Sequence, residues 1–173
     1  VTVQVADGNG GTDTQAIAVT VTSVNDNAPV ITSDGGGATA TANVAENQTT
    51  VTTVVATDAD LPAQTITYSI VGGADAALFT INAGTGALQF ISGRNYEAPA
   101  DAGADNVYDV IVEASDGVGG TDTQALAVTV TNANEAPLIT SNGGGGAANV
   151  NAAENQTAVT TVTSSDVDGG TAA

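Results

Sequence analysis

The chain has 173 residues, and its 19 acidic side chains face a single basic one, Arg94, so the formal net charge is −18. A surface this negative excludes nucleic acid and anionic membranes as partners, because binding to phosphate groups requires Lys and Arg. The sequence has no Cys and no His, which excludes disulfides and metal sites built from those ligands.

Eight strand signals follow one another through the middle of the chain. Gly, Asp, Asn or Pro clusters separate most of them, and no helical periodicity interrupts them. Tyr108, Val110 and Val112 alternate with their neighbours, as in a strand with one buried face. This pattern predicts an all-β fold with a Greek-key β-sandwich. The predicted strands are Val30–Thr32, Ala40–Ala45, Thr50–Thr57, Thr65–Val71, Leu78–Asn82, Ala87–Ser92, Val107–Ala114 and Thr123–Thr131.

An internal repeat divides the chain. Val5–Ala16 resembles Ala114–Ala125 at an offset of 109 residues, and Ala45–Thr49 resembles Ala153–Thr157 at an offset of 108. The difference of one residue comes from Asn27, which has no counterpart in the second linker. A period of this length is that of an independent domain. We therefore expect the C-terminal part of repeat A at 1–27, a complete repeat B at 28–135 and the N-terminal part of repeat C at 136–173.

Acidic residues fall at the ends of predicted strands and recur with the repeat. Asp58 and Asp60 return as Asp166 and Asp168. In an extended segment, residues i and i+2 point the same way, so such a pair can hold one ion. A site rich in carboxylate and amide oxygens favours a hard cation, and Ca²⁺ takes six to eight oxygen ligands. The alternative is a turn, in which each Asp binds its own backbone. An EF-hand is excluded, because its twelfth position would be Ser69.

Seven stretches follow one another in order across all of repeat B and its first linker. They are Asn25-Asp26-Asn27-Ala28-Pro29, Ala45-Glu46-Asn47, Asp58-Ala59-Asp60, Tyr68-Ser69-Ile70, Thr85-Gly86-Ala87-Leu88, Asn95-Tyr96-Glu97 and Ala114-Ser115-Asp116. With these stretches repeat B resembles a cadherin extracellular domain, which implies tandem seven-stranded Greek-key β-sandwich repeats of the immunoglobulin-like type. The lack of Lys and the loops rich in Gly, Ala and Thr are more similar to the cadherin-like repeats of large bacterial surface proteins of the adhesin or RTX type.

The resemblance implies calcium at the junctions between repeats. At the A/B junction it implies the ligands Asn25, Asp26, Asn27, Asp58, Asp60 and Asp116. At the B/C junction it implies Glu46, Glu97, Asn134, Glu135, Asp166 and Asp168. Ser23 and Asn132 stand where the family's linker begins with Asp, and Asn95 stands where Asp often precedes the Glu-bearing position, so we expect one to three ions per junction.

The remaining polar motifs have simpler interpretations. Asn47 and Asn155 begin formal glycosylation sequons that we interpret as structural. The loop Tyr96–Val107 is the candidate for contact with another protein. Solvated surface or turn positions are expected for Asp13, Asp75, Asp101, Asp105, Asp109 and Asp122.

We expect no enzyme, because the sequence offers no familiar base for a Ser or Thr nucleophile. No apolar run approaches the ~20 residues of a membrane-spanning helix, so direct membrane insertion is not expected. The predicted function is a calcium-rigidified structural repeat of an extracellular, secreted or cell-surface adhesin stalk, filament or surface layer. Its expected partners are neighbouring repeats of the same polypeptide, with homophilic or filament self-assembly. The alternatives are a homophilic or ligand-binding adhesion module and an accessory domain of a secreted enzyme.

Overall fold

A computed structural model describes residues 1–169, and the regular secondary structure of this part of the chain is almost entirely β-strand. Two single-turn 3₁₀ helices, Ala76–Leu78 and Ser141–Gly143, accompany the strands. No helix in the described part of the chain has the length and apolar character needed to cross a membrane. The strands are β1 Thr2–Ala6, β2 Thr12–Ala16, β3 Val30–Ile31, β4 Thr39–Ala45, β5 Thr50–Thr53, β6 Ala56–Thr57, β7 Thr67–Gly72, β8 Phe79–Ile81, β9 Ala87–Phe90, β10 Val107–Ser115, β11 Thr121–Thr131, β12 Leu138–Ile139 and β13 Ser164–Ser165.

Repeat B forms a β-sandwich, which confirms the predicted fold class. One layer is the four-stranded sheet β4-β11-β10-β7, in which β4 runs parallel to β11 and the other neighbours are antiparallel. The facing layer contains the sheet β5-β9-β8 and the pair β3-β6. The parallel pairing runs from Thr39 opposite Ala125 to Ala45 opposite Thr131. It places the C-terminal end of β4 beside the C-terminal end of β11. Both strands therefore lead into the same end of the domain.

The core forms where the alternating side chains of the two layers meet. Tyr108, Val110 and Val112 of β10 are at most 1% exposed, as their alternation predicted. The Phe90 ring packs against Tyr108 edge-on, with the ring centroids 5.2 Å apart. The Tyr108 hydroxyl also accepts a hydrogen bond from the backbone N–H of Ala100 at 3.1 Å. The core thereby holds the long loop between β9 and β10.

One predicted strand is divided in the structure, and the other seven differ from it by one or two residues at one or both ends. The segment predicted as one strand, Thr50–Thr57, is divided into β5, which pairs with β9, and β6, which pairs with β3. The division lies at Val54, which is fully buried and donates its N–H to the Gly86 carbonyl at 2.9 Å. The strand predicted from Leu78 begins one residue later, because Ala76–Leu78 forms a 3₁₀ turn.

The flanking segments reproduce parts of repeat B. In repeat B and in the repeat C segment alike, a serine hydroxyl accepts a backbone N–H at 3.1 Å: Val55 donates to Ser33, and Thr163 donates to Ser141. The flanking segments nevertheless leave their apolar faces open, since Val3 is 42% exposed while the equivalent Val112 is fully buried. The last four residues of the predicted repeat C segment, 170–173, lie outside the described part of the chain.

Candidate metal centre at the repeat junctions

Glu46 lies at the centre of the B/C junction. It follows the last residue of β4 and is 2% exposed. Its carboxylate accepts one hydrogen bond from the Tyr96 N–H at 3.0 Å and one from the Ala133 N–H at 2.9 Å. Asn47 turns the chain with a left-handed φ of 63° and donates its own N–H to the Arg94 carbonyl at 2.8 Å. Glu46 thus joins the end of β4, the β9–β10 loop and the linker that leaves repeat B.

Four carboxylates converge around this point. Glu46, Glu97, Glu135 and Asp168 each bring one oxygen to within 4.8 Å of the others, and this is the one such group of acids among residues 1–169. The cluster draws on repeat B, the linker and the repeat C segment. Burial raises the pKa of Glu135, and the charges of Glu46, Asp168 and Glu97 raise it further. The raised pKa indicates that the site is short of positive charge.

The single basic residue of the chain is engaged elsewhere. The Arg94 guanidinium lies over the Phe90 ring, 5.5 Å from its centroid. Its Nε donates to the Ser92 carbonyl at 2.8 Å. The cluster therefore contains four acids whose charges repel one another.

The donor set fits calcium. Glu135 Oε2 is a buried carboxylate oxygen without a hydrogen-bond partner, and such a group is costly unless an ion or a solvent molecule meets it. The other Glu135 oxygen accepts the Asn47 amide at 3.0 Å. Carboxylate oxygens are the ligands that calcium takes, and the chain has no His or Cys to favour a softer metal. The structural interpretation of the Asn47 sequon agrees with this contact, since its amide is already bonded.

Asp166 and Asp168 sit in the repeat C segment. Asp166 Oδ1 accepts the Asp168 N–H at 3.0 Å, and Asp168 Oδ2 accepts the Glu135 N–H at 2.7 Å. That N–H lowers the pKa of Asp168 against the opposite effect of burial, and the Asn132 amide adds to the lowering. Asn134, in contrast, donates its amide to the neighbouring Glu135 carbonyl at 2.9 Å. The structure therefore brings Asp168, but not Asp166, into the cluster, and within residues 1–169 the Asn134 side chain makes this local hydrogen bond alone.

Asn132 is a junction residue that the ligand set from the sequence left out. Its side-chain amide donates to Glu97 Oε1 at 2.9 Å and to Asp168 Oδ1 at 3.0 Å. The sequence drew attention to this position only as one where Asn replaces the Asp of the family pattern. The two contacts depend on three segments that meet in space, so no local sequence pattern predicts them.

The A/B junction repeats part of this arrangement, with N–H groups of the linker bonded to carboxylates of repeat B. The Asn27 amide donates to Asp60 Oδ1 at 2.6 Å, and its N–H donates to Asp60 Oδ2 at 3.0 Å. The Asp26 N–H donates to the same Oδ2 at 3.1 Å. The Asn25 amide donates to Asp116 Oδ2 at 3.0 Å. Linker and repeat B are thus tied by amide-to-carboxylate contacts.

Hydrogen bonds lower the pKa of two acids of repeat B at this junction. The pKa of Asp60 is lowered mainly by the Asn27 amide, and the pKa of Asp116 mainly by the Val118 N–H and then by the Asn25 amide. Gln64, which the sequence analysis missed, donates to Asn25 Oδ1 at 2.6 Å.

Asp58 combines both interpretations of its motif. Its Oδ1 accepts the Asp60 N–H at 2.9 Å, which is the turn that the alternative interpretation describes. Its Oδ2 is buried without a hydrogen-bond partner and is free to meet a cation.

Two acids outside the junctions are buried at turns, so the expectation of a solvated surface was wrong for them and that of a turn holds. Asp75 and Asp101 are only 5% and 7% exposed. Asp75 accepts the N–H groups of Ala102 and Asp109 at 2.7 and 2.8 Å, and therefore anchors the loop between β9 and β10. Asp122 also has a structural contact, because its carboxylate accepts the Ile31 N–H at 2.8 Å.

Comparison with known proteins gives one family. The family model described as "Cadherin domain" matches residues 40–131. Human Protocadherin Fat 1 is 35% identical over 129 residues, which cover 72% of this chain and 3% of that protein. The chain therefore spans a small fraction of this relative.

Solved structures of similar fold are parts of other multi-domain proteins. Protocadherin Gamma B2 extracellular cadherin domains 3–6 align with a TM-score of 0.58 at 24% identity, over 75% of this chain and 32% of that one. Protocadherin Gamma B7 extracellular cadherin domains 1–4 align with a TM-score of 0.53 at 27% identity, over 69% of this chain and 28% of that one. The first shows the fold alone.

Proposed function

Because the chain belongs to the cadherin-domain family, we propose that it is a calcium-rigidified structural repeat of an extracellular adhesion protein. The observation that carries the proposal is the cluster of Glu46, Glu97, Glu135 and Asp168 at the B/C junction, with one carboxylate oxygen of each within 4.8 Å of the others. We extend the proposal to the A/B junction through the equivalent residues Asn25, Asp26, Asn27, Asp58, Asp60 and Asp116, and to the B/C residues Asn134 and Asp166.

The mechanism follows from charge and connectivity. Glu46 and Glu97 belong to the body of repeat B, Glu135 to the linker and Asp168 to the repeat C segment. Their mutual repulsion favours separation of these three segments, and bound calcium would supply the positive charge that offsets it. Extracellular calcium modules bind at about 10⁻⁴–10⁻³ M, so such a junction responds to the calcium level outside cells. Its partners are the adjacent repeats of the same polypeptide, and the role is structural and not catalytic.

The repeat boundaries 1–27, 28–135 and 136–173 are part of the proposal. Val21 in the first segment is 89% exposed, and its equivalent Val130 in repeat B is 1% exposed. In the third segment Val162 is 65% exposed, and its equivalent Val54 is fully buried. Side chains with core positions in repeat B thus lie open in both flanking segments, which supports reading the latter as parts of further repeats.

We also propose that the array belongs to a large bacterial surface protein of the adhesin or RTX type, as a stalk, filament or surface layer. The support is composition: one basic residue against 19 acids, with 21 Gly. Determining the sequence on both sides of this segment tests it. Further repeats would favour a stalk, and an adjoining catalytic domain would favour an accessory role.

Small-angle X-ray scattering of the full chain tests the stiffening. We expect a narrower distance distribution in CaCl₂ than in EDTA for the wild type, and a smaller difference for Glu97→Gln. Glu113→Gln is the matched control, because Glu113 lies on β10 outside the cluster. Superimposable wild-type curves in the two buffers would contradict the proposal.

A further inference from the structure

The Asn132 side chain connects two repeats without any charge of its own. Its side-chain nitrogen donates to Glu97 Oε1 at 2.9 Å and to Asp168 Oδ1 at 3.0 Å. Glu97 lies on the β9–β10 loop of repeat B, and Asp168 follows β13 in the repeat C segment. A single NH₂ group therefore holds carboxylates from both sides of the junction.

The contact lies within the acid cluster, whose repulsion favours separation of the segments. Hydrogen bonds from an amide to an ionised carboxylate are stronger than those between neutral groups. In each bond the partial positive charge of an amide hydrogen faces the negative charge of one acid of the cluster. The other Asp168 oxygen accepts the linker N–H of Glu135 at 2.7 Å, so Asn132 also fixes the acceptor to which the linker is bonded.

The equivalent position at the A/B junction makes a different cross-junction contact. Ser23 stands there, and its hydroxyl donates to the backbone carbonyl of Leu61 in repeat B. Both junctions thus carry a hydrogen-bond donor at this position. Only at the B/C junction does the donor engage two acids at once.

We propose that Asn132 is a cation-independent clasp, which keeps the Glu97 loop and the Asp168 turn together when calcium is absent. The inference rests on the proposed function only in that calcium would act on the same acids. The hydrogen bonds themselves require no cation. The clasp leaves the junction partly ordered at low calcium, and calcium binding then adds stiffness to segments that are already in contact.

Amide hydrogen exchange of the ¹⁵N-labelled full chain in EDTA tests the clasp. The probe is the Glu135 N–H, which is bonded to Asp168. The Asn27 N–H, bonded to Asp60 Oδ2 at 3.0 Å at the other junction, is the internal reference. We expect Asn132→Ala to accelerate exchange at Glu135 by about tenfold or more, with no change at Asn27.

A second variant tests the same idea by charge. Asn132→Asp adds a fifth carboxylate, so Glu135 exchange in EDTA should accelerate at least as much and should slow again in CaCl₂. Gln89→Glu, on the exposed side of β9, adds the same charge away from the junction and should leave Glu135 unchanged.

Two outcomes would overturn the clasp. One is an equal Glu135 exchange rate in wild type and Asn132→Ala, and the other is a wild-type rate in EDTA equal to that of an unstructured peptide. A calcium titration without any response would instead sink the proposed function, and the comparison in EDTA would still decide the clasp.

Discussion

The loop between β9 and β10 depends on Asp101, and we predict that Asp101→Asn destabilises repeat B. Asp101 is 7% exposed, and its two oxygens accept the N–H groups of Asp105 and Asn106, both at 3.0 Å. The Asn106 amide in turn donates to the Tyr96 carbonyl at 2.9 Å. Asp101 therefore supports the segment that presents Glu97 to the junction.

The size of the effect follows from these two bonds. Asn keeps one acceptor oxygen, but its NH₂ group would face the other N–H donor. One hydrogen bond to a charged acceptor, worth about 1.5–3 kcal/mol, is lost, and the remaining one becomes weaker. We expect the free energy of unfolding to fall by about 2–3 kcal/mol, a large part of the roughly 5–15 kcal/mol of a typical domain.

The effect should depend on pH in a defined direction. Burial alone would raise the pKa of Asp101, but the N–H groups of Asp105 and Asn106 hold it below its ordinary value. A lowered pKa means that the carboxylate stabilises the fold fully above its unfolded pKa, near pH 4. This contribution is lost as the pH falls through the folded pKa. The difference between wild type and variant should therefore shrink in acid.

Urea unfolding in EDTA, followed by circular dichroism at pH 7 and at lower pH values, measures both effects. Asp109→Asn is the control, because Asp109 lies exposed on β10. A loss below about 1 kcal/mol at pH 7, or a loss that stays constant into acid, would refute the reasoning.

Three further predictions concern the turn, the ion and the proton. Gly86→Ala should lower the free energy of unfolding of repeat B severely, because a Cβ at this φ of +71° would lie 2.0 Å from the Val54 carbonyl oxygen. Gly84→Ala is the control and should be tolerated, since the nearest atom to its Cβ would lie at 3.7 Å. Equal losses for the two variants in urea unfolding would contradict the prediction. Calcium at about 10 mM should raise the free energy of unfolding by about 1.4–2.7 kcal/mol per site over EDTA, and the absence of any rise would count against binding. Calcium affinity should fall as the pH is lowered through the raised pKa of Glu135, because protons compete with calcium for its carboxylate. Calorimetry at several pH values measures this affinity, and an affinity that does not change with pH would contradict the prediction.

The strands of repeat B could largely be predicted from the sequence, because apolar and polar residues alternate along a strand that has one buried face. Tyr108, Val110 and Val112 are the clearest case, and all three are core residues. The break at Val54 could not be predicted in this way. It depends on the Gly86 carbonyl, which reaches Val54 from a turn about thirty residues away and redirects the chain between two sheets.

The residues of the junctions could be predicted from the sequence to a similar extent. Repetition of the acidic motifs pointed to Glu46, Glu135 and Asp168, and the family resemblance added Glu97; the structure brings these four acids together. The amide contacts of Asn132 could not be inferred, because they depend on where the β9–β10 loop and the repeat C segment meet. The burial of Asp75 and Asp101 was missed for the same reason, since an Asp in a polar loop has the same local sequence whether it faces water or a backbone N–H.

The central claim is that calcium binds to the acids of the B/C junction, and isothermal titration of CaCl₂ into the full chain tests it most directly. The account predicts saturable binding by the wild type, an affinity at least about tenfold weaker for Glu135→Gln, and an unchanged affinity for Glu113→Gln. No saturable heat up to the order of 10 mM calcium, or the same affinity in both variants, would contradict it.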